Sequence, residues 1–299
     1  MAVKKEKKNI DQLIEDGLDI EKSELDLRES EFDDDDIEEL VKSEKLKGIT
    51  ALFLEYNDIG DRGVCLLSEC ENLKHLTVLN MFKNQVTDEG VKIISESKTF
   101  LNLSELILSD NKITPAGAAC LAKSKTLANL VSLWVGDDIG DEGAIHLAET
   151  KTLKRLNLLN LYRNNISDDG AIAISNSENL SRLTELNLNW NYIEARGVKA
   201  LASSENLKNL IQLTMTFNPI GPLGAKAIAN SKNFQSLELL DLYETDIKDE
   251  GARAIAKSKT LCSLQTLVLI HNDISPEVQK LFQNNSNFKK LTNVIFKRG

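Results

Sequence analysis

A glycine recurs along this chain every 27 residues, and this periodicity constrains the fold more than any other feature. The eight glycines are Gly63, Gly90, Gly117, Gly143, Gly170, Gly197, Gly224 and Gly251. Only the interval from Gly117 to Gly143 is shorter, at 26 residues. Each glycine follows the pattern L-x-x-L-x-L-x-x-N-x-I, so the chain is predicted to stack similar units that each contact mainly their two neighbours.

Residues 183–209 illustrate one unit of this repeat. Leu186 and Leu188 alternate with polar residues, which indicates a strand with one buried face. After Gly197, apolar residues at helical spacing share one face of a helix. Each unit is therefore predicted to contain a strand, a loop, a helix and a second loop. Stacking such units predicts an α/β solenoid with a parallel sheet along one side and the helices along the other.

Two further columns of the repeat are interpreted as structural. One is an asparagine column formed by Asn57, Asn84, Asn111, Asn164, Asn191, Asn218 and Asn272, with Thr245 in its place once. An amide both donates and accepts, so stacked asparagines are expected to bridge one turn to the next. Acidic pairs such as Asp88–Glu89 are expected to cap the helix that they begin. The weaker alternative is that these carboxylates bind metal ions, and we predict no metal site and no cofactor.

The composition argues against several classes of partner and location. A net charge of −10 disfavours a nucleic-acid backbone or an anionic membrane as partner. No segment approaches the roughly 20 apolar residues that span a bilayer, and the basic residues 1–8 lack the apolar stretch of a secretory signal. Four cysteines without metal-ligand spacing indicate free thiols in a reducing compartment. We therefore expect a cytoplasmic location.

The repeat resembles the leucine-rich repeat family over about residues 20–296. Segments such as Gly143-Ala-Ile-His-Leu-Ala148 are most similar to its ribonuclease-inhibitor-like class. This resemblance implies a horseshoe with parallel strands on the concave face, helices on the convex face and a role in protein–protein interaction. Short all-repeat chains also resemble bacterial proteins secreted into host cells. That resemblance implies an effector acting on a host protein, delivered by a specialised secretion system.

The two ends of the chain are expected to differ from its middle. Residues 1–19 are predicted to form an N-terminal tail and a capping helix. Residues 20–299 are predicted to form the solenoid, with a degenerate first repeat, nine regular repeats of about 27 residues and a final partial strand. Terminal repeats are atypical in such folds because one side faces water. We expect the protein to be a monomer.

The segment Leu133–Ile139 is one residue shorter than its counterparts, and Asp137 takes the asparagine position in it. One interpretation is a neutral deletion that Gly136 absorbs. The other is that the deletion re-aims Trp134 or opens the rim of the concave face.

Aromatic residues are concentrated at strand positions that point away from the predicted core. Eight of the 15 aromatic residues lie there, namely Phe53, Tyr56, Phe82, Trp134, Tyr162, Trp190, Phe217 and Tyr243. Carboxylates outnumber basic groups at the same positions, and they include Glu185 and Asp241. Exposed Trp and Tyr often dominate binding energies. We therefore predict a non-enzymatic scaffold that binds a protein of basic and apolar character through Trp134, Tyr162, Trp190, Phe217, Tyr243, Tyr56, Phe82, Glu185 and Asp241.

Three alternatives remain for this face. Aromatic residues favour strands and cover neighbouring side chains, which would give the same bias without a partner. Aromatic faces also stack on sugars, so the chain could be a carbohydrate-binding or a purely structural scaffold. Catalysis is disfavoured because His75, His146 and His271 are scattered along the chain. The sequence also contains no nucleophile motif and no phosphate loop, and we predict no catalytic residue.

Overall fold

The computed structural model describes residues 8–136, 138–283 and 285–297 of the chain. Within them, twelve strands form one open sheet in sequence order. Strands β2 to β12 pair in parallel, whereas β1 pairs antiparallel with β2. The strands are β1 (Leu18–Asp19), β2 (Glu24–Asp26), β3 (Ala51–Phe53), β4 (Val78–Asn80), β5 (Glu105–Ile107), β6 (Ser132–Trp134), β7 (Leu158–Asn160), β8 (Glu185–Asn187), β9 (Gln212–Thr214), β10 (Leu239–Asp241), β11 (Thr266–Val268) and β12 (Asn293–Ile295). The predicted α/β solenoid is confirmed.

Helices alternate with these strands on the opposite side of the coil. They are α1 (Ile10–Gly17), α2 (Asp34–Leu40), α3 (Asp61–Glu69), α4 (Asp88–Glu96), α5 (Pro115–Lys123), α6 (Gly140–Ala148), α7 (Asp168–Asn176), α8 (Ala195–Ser203), α9 (Gly221–Ala229), α10 (Lys248–Ala256) and α11 (Pro276–Gln279). Short 3₁₀ helices lie at Glu44–Leu46, Glu71–Leu73, Lys98–Phe100, Glu178–Leu180 and Lys280–Phe282. Strands pack about 4.8 Å apart and helices about 8–10 Å apart, so the sheet lies on the concave side.

The core is one continuous apolar layer between the sheet and the helices. The middle residue of each strand from β2 to β11 is buried, as Leu186 is in β8, while its two neighbours lie on the concave face. Both ends of this layer are covered. Ile14 of α1 is fully buried at the N-terminal end, and Phe282 packs against Phe288 and Phe296 at the other.

The asparagine column joins successive repeats, as predicted. Asn191 Nδ2 donates to the carbonyl oxygen of Leu161 in the preceding repeat at 2.9 Å. Its Oδ1 accepts from the backbone N–H of Ile166 at 2.9 Å. Thr245 fills the column once, and its hydroxyl oxygen lies 3.1 Å from Oδ1 of Asn272 in the following repeat. Each amide therefore satisfies backbone groups that the turn would otherwise bury without partners.

The acidic column also caps helices, but it serves the next helix rather than its own. Asp88 Oδ1 accepts from the backbone N–H groups of Thr114 and Gly117, each at 2.9 Å, at the start of α5. The prediction that these aspartates cap a helix is therefore confirmed, but the capped helix is the next one and not the one that they begin. The first residue of a helix lies beside the neighbouring helix, so its carboxylate reaches across. The glycine makes room for it, because a Cβ on Gly117 would lie 2.5 Å from Asp88 Oδ1.

The short turn after β6 leaves the strand register unchanged. Trp134 pairs with Ile107 on one side and Asn160 on the other, as the equivalent residues of other strands do. A Cβ on Gly136 would collide with the carbonyl oxygen of Tyr162, so only glycine fits this shortened path. These contacts favour the interpretation that Gly136 absorbs the deletion and leaves Trp134 in register. Asp137 itself lies outside the described residues.

Candidate functional site

The predicted aromatic residues occupy three columns of the repeat rather than one. Phe53 and Trp134 are the third residues of their strands. Phe82, Tyr162 and Tyr243 come two residues after a strand. The remaining three come three residues after a strand, and they are Tyr56, Trp190 and Phe217. Only the first column belongs to the pleated sheet, so the three groups differ in backbone conformation and in neighbours.

The last of these columns has a left-handed backbone. The φ angles of Tyr56, Trp190 and Phe217 are 57°, 56° and 56°. Glycine, asparagine and aspartate adopt this region most readily, while other residues pay roughly 1–2 kcal/mol for it. The preference of aromatic residues for strands does not account for rings at these positions. Lys83 and Arg163 of the same column have this backbone as well, so the conformation belongs to the repeat and not to the rings.

Four rings from successive repeats form a continuous row, which we call the C-terminal strip: Trp190, Phe217, Tyr243 and His271. The ring centroids of Trp190 and Phe217 are 3.9 Å apart, with an angle of 27° between the planes. Tyr243 lies 5.1 Å from Phe217 and 5.0 Å from His271. Trp190 is 47% exposed, which is high for so large an apolar side chain. The strip thus offers a stacked aromatic surface to solvent.

Carboxylates accompany the C-terminal strip. Burial raises the pKa of Asp241, although its Oδ1 accepts from the backbone N–H of Tyr243 at 2.9 Å. Glu244 Oε2 lies 3.4 Å from His271 Nδ1, and the Tyr243 hydroxyl lies 3.2 Å from the same nitrogen. His271 thus contacts a phenol hydroxyl and a carboxylate through the same ring nitrogen.

A second aromatic group lines a cavity at the other end of the concave face, which we call the N-terminal cavity. Its volume is about 1200 Å³, and residues 16–21 of the cap form one side of it. Tyr56, Phe82 and Trp134 line the sheet side. The rings of Tyr56 and Phe82 meet edge to face at 5.3 Å between centroids. Ile20 at the cap is 80% exposed, so the cavity has an apolar lip.

Glu55 is the most buried carboxylate on the wall of the N-terminal cavity, with 8% of its surface exposed. Its Oε1 accepts from Asn80 Nδ2 at 2.7 Å. Its Oε2 is buried without a hydrogen-bond partner among the described residues. Burial raises the pKa of Glu55, since desolvation disfavours the charged form. The cavity thus holds a buried carboxylate with one oxygen, Oε2, that accepts no hydrogen bond from another described residue.

The nearest cation, Arg28, is committed to another carboxylate. Arg28 Nη2 lies 2.5 Å from Asp26 Oδ2, and Arg28 Nε also bonds to Asp26 Oδ1 at 2.9 Å. These bonds hold the pKa of Asp26 below its usual range and raise the pKa of Arg28. Arg28 therefore lines the cavity as one half of an ion pair with Asp26.

The predicted site residues thus divide between two places. Trp190, Phe217 and Tyr243 meet in the C-terminal strip, with Asp241 beside Tyr243. Tyr56, Phe82 and Trp134 line the N-terminal cavity. Tyr162 and Glu185 line neither the cavity nor the strip. Sequence reasoning missed the cavity, because nothing in the sequence distinguishes the exposed Ile20 from the apolar residues of the cap that pack on the core, such as Ile14.

The remaining sequence predictions concern metal ligands, cysteines and membrane-spanning segments, apart from the N-terminal cavity and the C-terminal strip. Within residues 8–136, 138–283 and 285–297, no three His, Cys, Asp or Glu side chains are grouped so that they could hold a metal ion. The four cysteines are free, and burial raises the thiol pKa of Cys65, Cys70 and Cys120, which disfavours the nucleophilic thiolate. Among the helices of the described segments, none has both the length and the apolar character needed to cross a membrane.

The sequence model described as "Leucine Rich repeat" matches six segments of the chain, namely residues 72–95, 101–122, 151–175, 180–202, 206–229 and 235–256. These six segments are leucine-rich repeats, and the twelve-stranded sheet with alternating helices continues the same architecture along the described chain. Such repeats are a common scaffold for protein–protein interaction and are typically non-enzymatic.

Two solved structures illustrate the likeness of the fold. A leucine-rich repeat protein of Leptospira interrogans is 20% identical with a TM-score of 0.51, over 85% of this chain and 62% of that one. An internalin of Listeria monocytogenes is 20% identical with a TM-score of 0.38, over 93% of this chain and 87% of that one. This chain thus spans less than two thirds of the Leptospira protein. A search of the curated proteins finds no match.

Proposed function

We propose that this protein is a non-enzymatic scaffold that binds a protein segment of basic and apolar character across the C-terminal strip. The observation that carries this proposal is the continuous row of four rings, with Trp190 half exposed at its end. Trp and Tyr supply large contact areas with little loss of conformational freedom, and they are enriched among residues that dominate binding.

The shape of the strip favours a polypeptide over a small molecule. Four rings on adjacent repeats extend over three strand spacings, or about 14 Å. The row is open rather than enclosed, whereas small-molecule sites usually bury most of the ligand in a cleft. An extended segment of about four residues, or one face of a helix, matches this length.

The charges beside the strip favour a basic partner. Asp241 and Glu244 flank the rings, and Glu185 lies on the strand that precedes Trp190. Arg163 lies in the column of Trp190, one repeat before it. Carboxylates next to aromatic rings complement lysine or arginine side chains, whose apolar stems can pack on the rings.

The backbone of the strip supports the same conclusion. Trp190 and Phe217 adopt left-handed φ angles that asparagine or glycine would adopt at lower cost. The stacking of Trp190 on Phe217 is similar in size to this strain, so stability alone gives little reason to place both rings there. Exposed rings at strained positions are therefore better explained by a requirement for binding.

We further infer a ribonuclease-inhibitor-like class for the repeats, a division into a cap (residues 1–19) and a solenoid (residues 20–299), and a monomeric state. A nine-residue helix in each middle repeat supports the class. The effector role and delivery into a host cell rest on the resemblance to secreted bacterial proteins alone. A cytoplasmic location in the producing cell is the alternative, and sedimentation of the purified chain tests the monomer.

A peptide-display selection against the whole chain tests the proposed function. We expect enriched peptides to combine Lys or Arg with large apolar residues. The double variant Trp190→Ala/Phe217→Ala should bind them at least about 30-fold more weakly, as expected for the loss of an interaction worth 2 kcal/mol or more.

Leu223→Ala is the matched control, because Leu223 is 66% exposed on α9 on the helix side of the coil. This variant should bind the selected peptides as wild type does, and circular dichroism should show that both variants remain folded. Equal binding by the double variant would contradict the proposal. Signals on a glycan array without peptide enrichment would favour the carbohydrate-binding alternative.

A further inference from the structure

The N-terminal cavity contains a feature that the C-terminal strip lacks, a buried carboxylate oxygen with no partner. Glu55 is 8% exposed and lines the cavity, and its Oε2 has no hydrogen bond among the described residues. Leaving such an atom unsatisfied is costly, so nearly all buried polar groups in native proteins are paired. A ligand that donates to Oε2 would remove this cost.

The charge of the cavity wall specifies the sign of such a ligand. Five further carboxylates line the cavity besides Glu55, and they are Asp16, Asp19, Glu21, Asp26 and Glu29. Among the described residues that line the cavity, Arg28 is the one basic residue, and Asp26 holds it in an ion pair. The wall is therefore strongly negative and attracts a cation.

The apolar residues of the cavity wall indicate which chemical group carries the positive charge. Tyr56, Phe82 and Trp134 line the cavity together with Ile107. Aromatic rings attract cations and stack on planar guanidinium groups, whereas an ammonium is a compact and strongly hydrated point charge. A volume of about 1200 Å³ also accommodates the residues that flank the cationic side chain.

We propose that the N-terminal cavity binds the guanidinium group of an arginine side chain that a peptide or protein segment presents. The Glu55 side chain turns Oε2 toward the cavity, where it accepts from an N–H of the guanidinium. The guanidinium plane lies against the aromatic wall, and the surrounding carboxylates balance its charge. This site does not depend on the C-terminal strip, so either site can fail without the other.

The chain contains two tryptophans, which provides a direct readout of this cavity. In a Trp190→Phe background, Trp134 is the one remaining tryptophan, and it lines the cavity. We would titrate this protein with the blocked tripeptide acetyl-Ala-Arg-Ala-amide and follow Trp134 fluorescence. A saturable change is expected, whereas no saturable change at any accessible concentration would overturn the proposal.

Two matched peptides test the chemistry of recognition. Citrulline has the shape of arginine without its charge, and the citrulline peptide should bind at least about tenfold more weakly, because charge-assisted hydrogen bonds are the stronger ones. The lysine peptide should bind severalfold more weakly than the arginine peptide. Equal binding of citrulline would overturn the proposed cation site, and equal binding of lysine would overturn its selectivity for guanidinium.

A variant of the carboxylate tests its role. Glu55→Gln keeps the oxygen that accepts from Asn80 and should weaken arginine-peptide binding at least about tenfold. Glu149→Gln removes the same charge at the end of α6 and should leave the affinity within twofold of the parent. Thermal unfolding checks that both remain folded, and unchanged binding by a folded Glu55→Gln protein would overturn the proposal. The strip keeps an aromatic ring throughout, so failure here leaves its own test unaffected.

Discussion

The two ends of the concave face use the same repeat in opposite ways. At the N-terminal end, residues 16–21 form one wall of an open cavity whose key polar group, Glu55, is buried. At the C-terminal end, the same columns carry rings that stack on one another in the open, from Trp190 to His271. A solenoid thus gains an additional wall where a non-repeating element lies beside its concave face, and elsewhere it offers an extended surface.

The two regions also differ in the kind of unfavourable free energy that their residues introduce into the fold. Glu55 places a desolvated carboxylate against the N-terminal cavity, whereas the strip places Trp190 and Phe217 in left-handed backbone. The first cost is electrostatic and depends on pH, while the second is steric and does not. Substitutions that remove each cost separately can therefore test whether this contrast is real.

The largest expected effect comes from separating the cap from the sheet. A Cβ on Gly17 would overlap the carbonyl oxygen of Asp26, where the end of α1 meets β2. Gly17→Val should lower the free energy of unfolding by about 1–3 kcal/mol and open the cavity. Urea unfolding measures the first effect, and Trp134 fluorescence in the Trp190→Phe background measures the second. Trp190 fluorescence in a Trp134→Phe background is the control, and an equal change there would show that the two regions are not independent.

The intermediate effect concerns Glu55 and pH. Burial raises the folded-state pKa of Glu55, so its protonation stabilises the fold below the unfolded pKa, and this contribution is lost as pH rises through the folded pKa. Arg28 opposes this shift and Asp26 adds to it. Glu55→Gln should therefore raise the free energy of unfolding at pH 7, by less than about 2 kcal/mol, and the gain should vanish in acid. A gain of equal size at every pH would show that charge is not its cause.

The smallest effect is expected in the strip. Trp190→Asn removes the stacking with Phe217, worth about 0.5–1.5 kcal/mol, and relieves a left-handed strain of similar size. The free energy of unfolding should then change by less than about 1 kcal/mol. Trp134→Ala is the comparison, because half-buried Trp134 lies in the sheet and donates to Ser132 Oγ at 3.1 Å, so its loss should cost more. A larger loss for Trp190→Asn would give Trp190 a structural role and weaken the proposed function.

The sequence predicted those parts of the molecule that each repeat specifies by itself. The alternation around Leu186 predicted the strand, and the asparagine column predicted the hydrogen bonds that join turns, as Asn191 shows. These features follow from residue type and period, which are visible in one repeat. The parallel register follows in turn, since equal repeats place equal positions side by side.

Features that depend on a second element could not be predicted in the same way. Asp88 was assigned to its own helix because the reach to Thr114 depends on how closely two helices pack. Trp190 was placed on the strand because a period of 27 aligns residues without distinguishing pleated from left-handed backbone. The cavity was missed because the path of the cap near Ile20 is not part of the repeat.

The hydrogen bonds between repeats have a consequence for synthesis on the ribosome. The N–H of Ile59 donates to Asn84 of the following repeat, and the carbonyl oxygen of Leu54 accepts from Asn84 as well as from Asn57 of its own repeat. In the other direction, the Asp61 carboxylate accepts from the backbone N–H of Thr87, which belongs to the following repeat. At about 5–20 residues per second, each repeat emerges about 1 to 5 s after the previous one. During synthesis, the last repeat to emerge therefore always lacks the hydrogen bonds that the following repeat will supply. A pause in translation would leave these groups unpaired in that one repeat, while the earlier repeats stay folded.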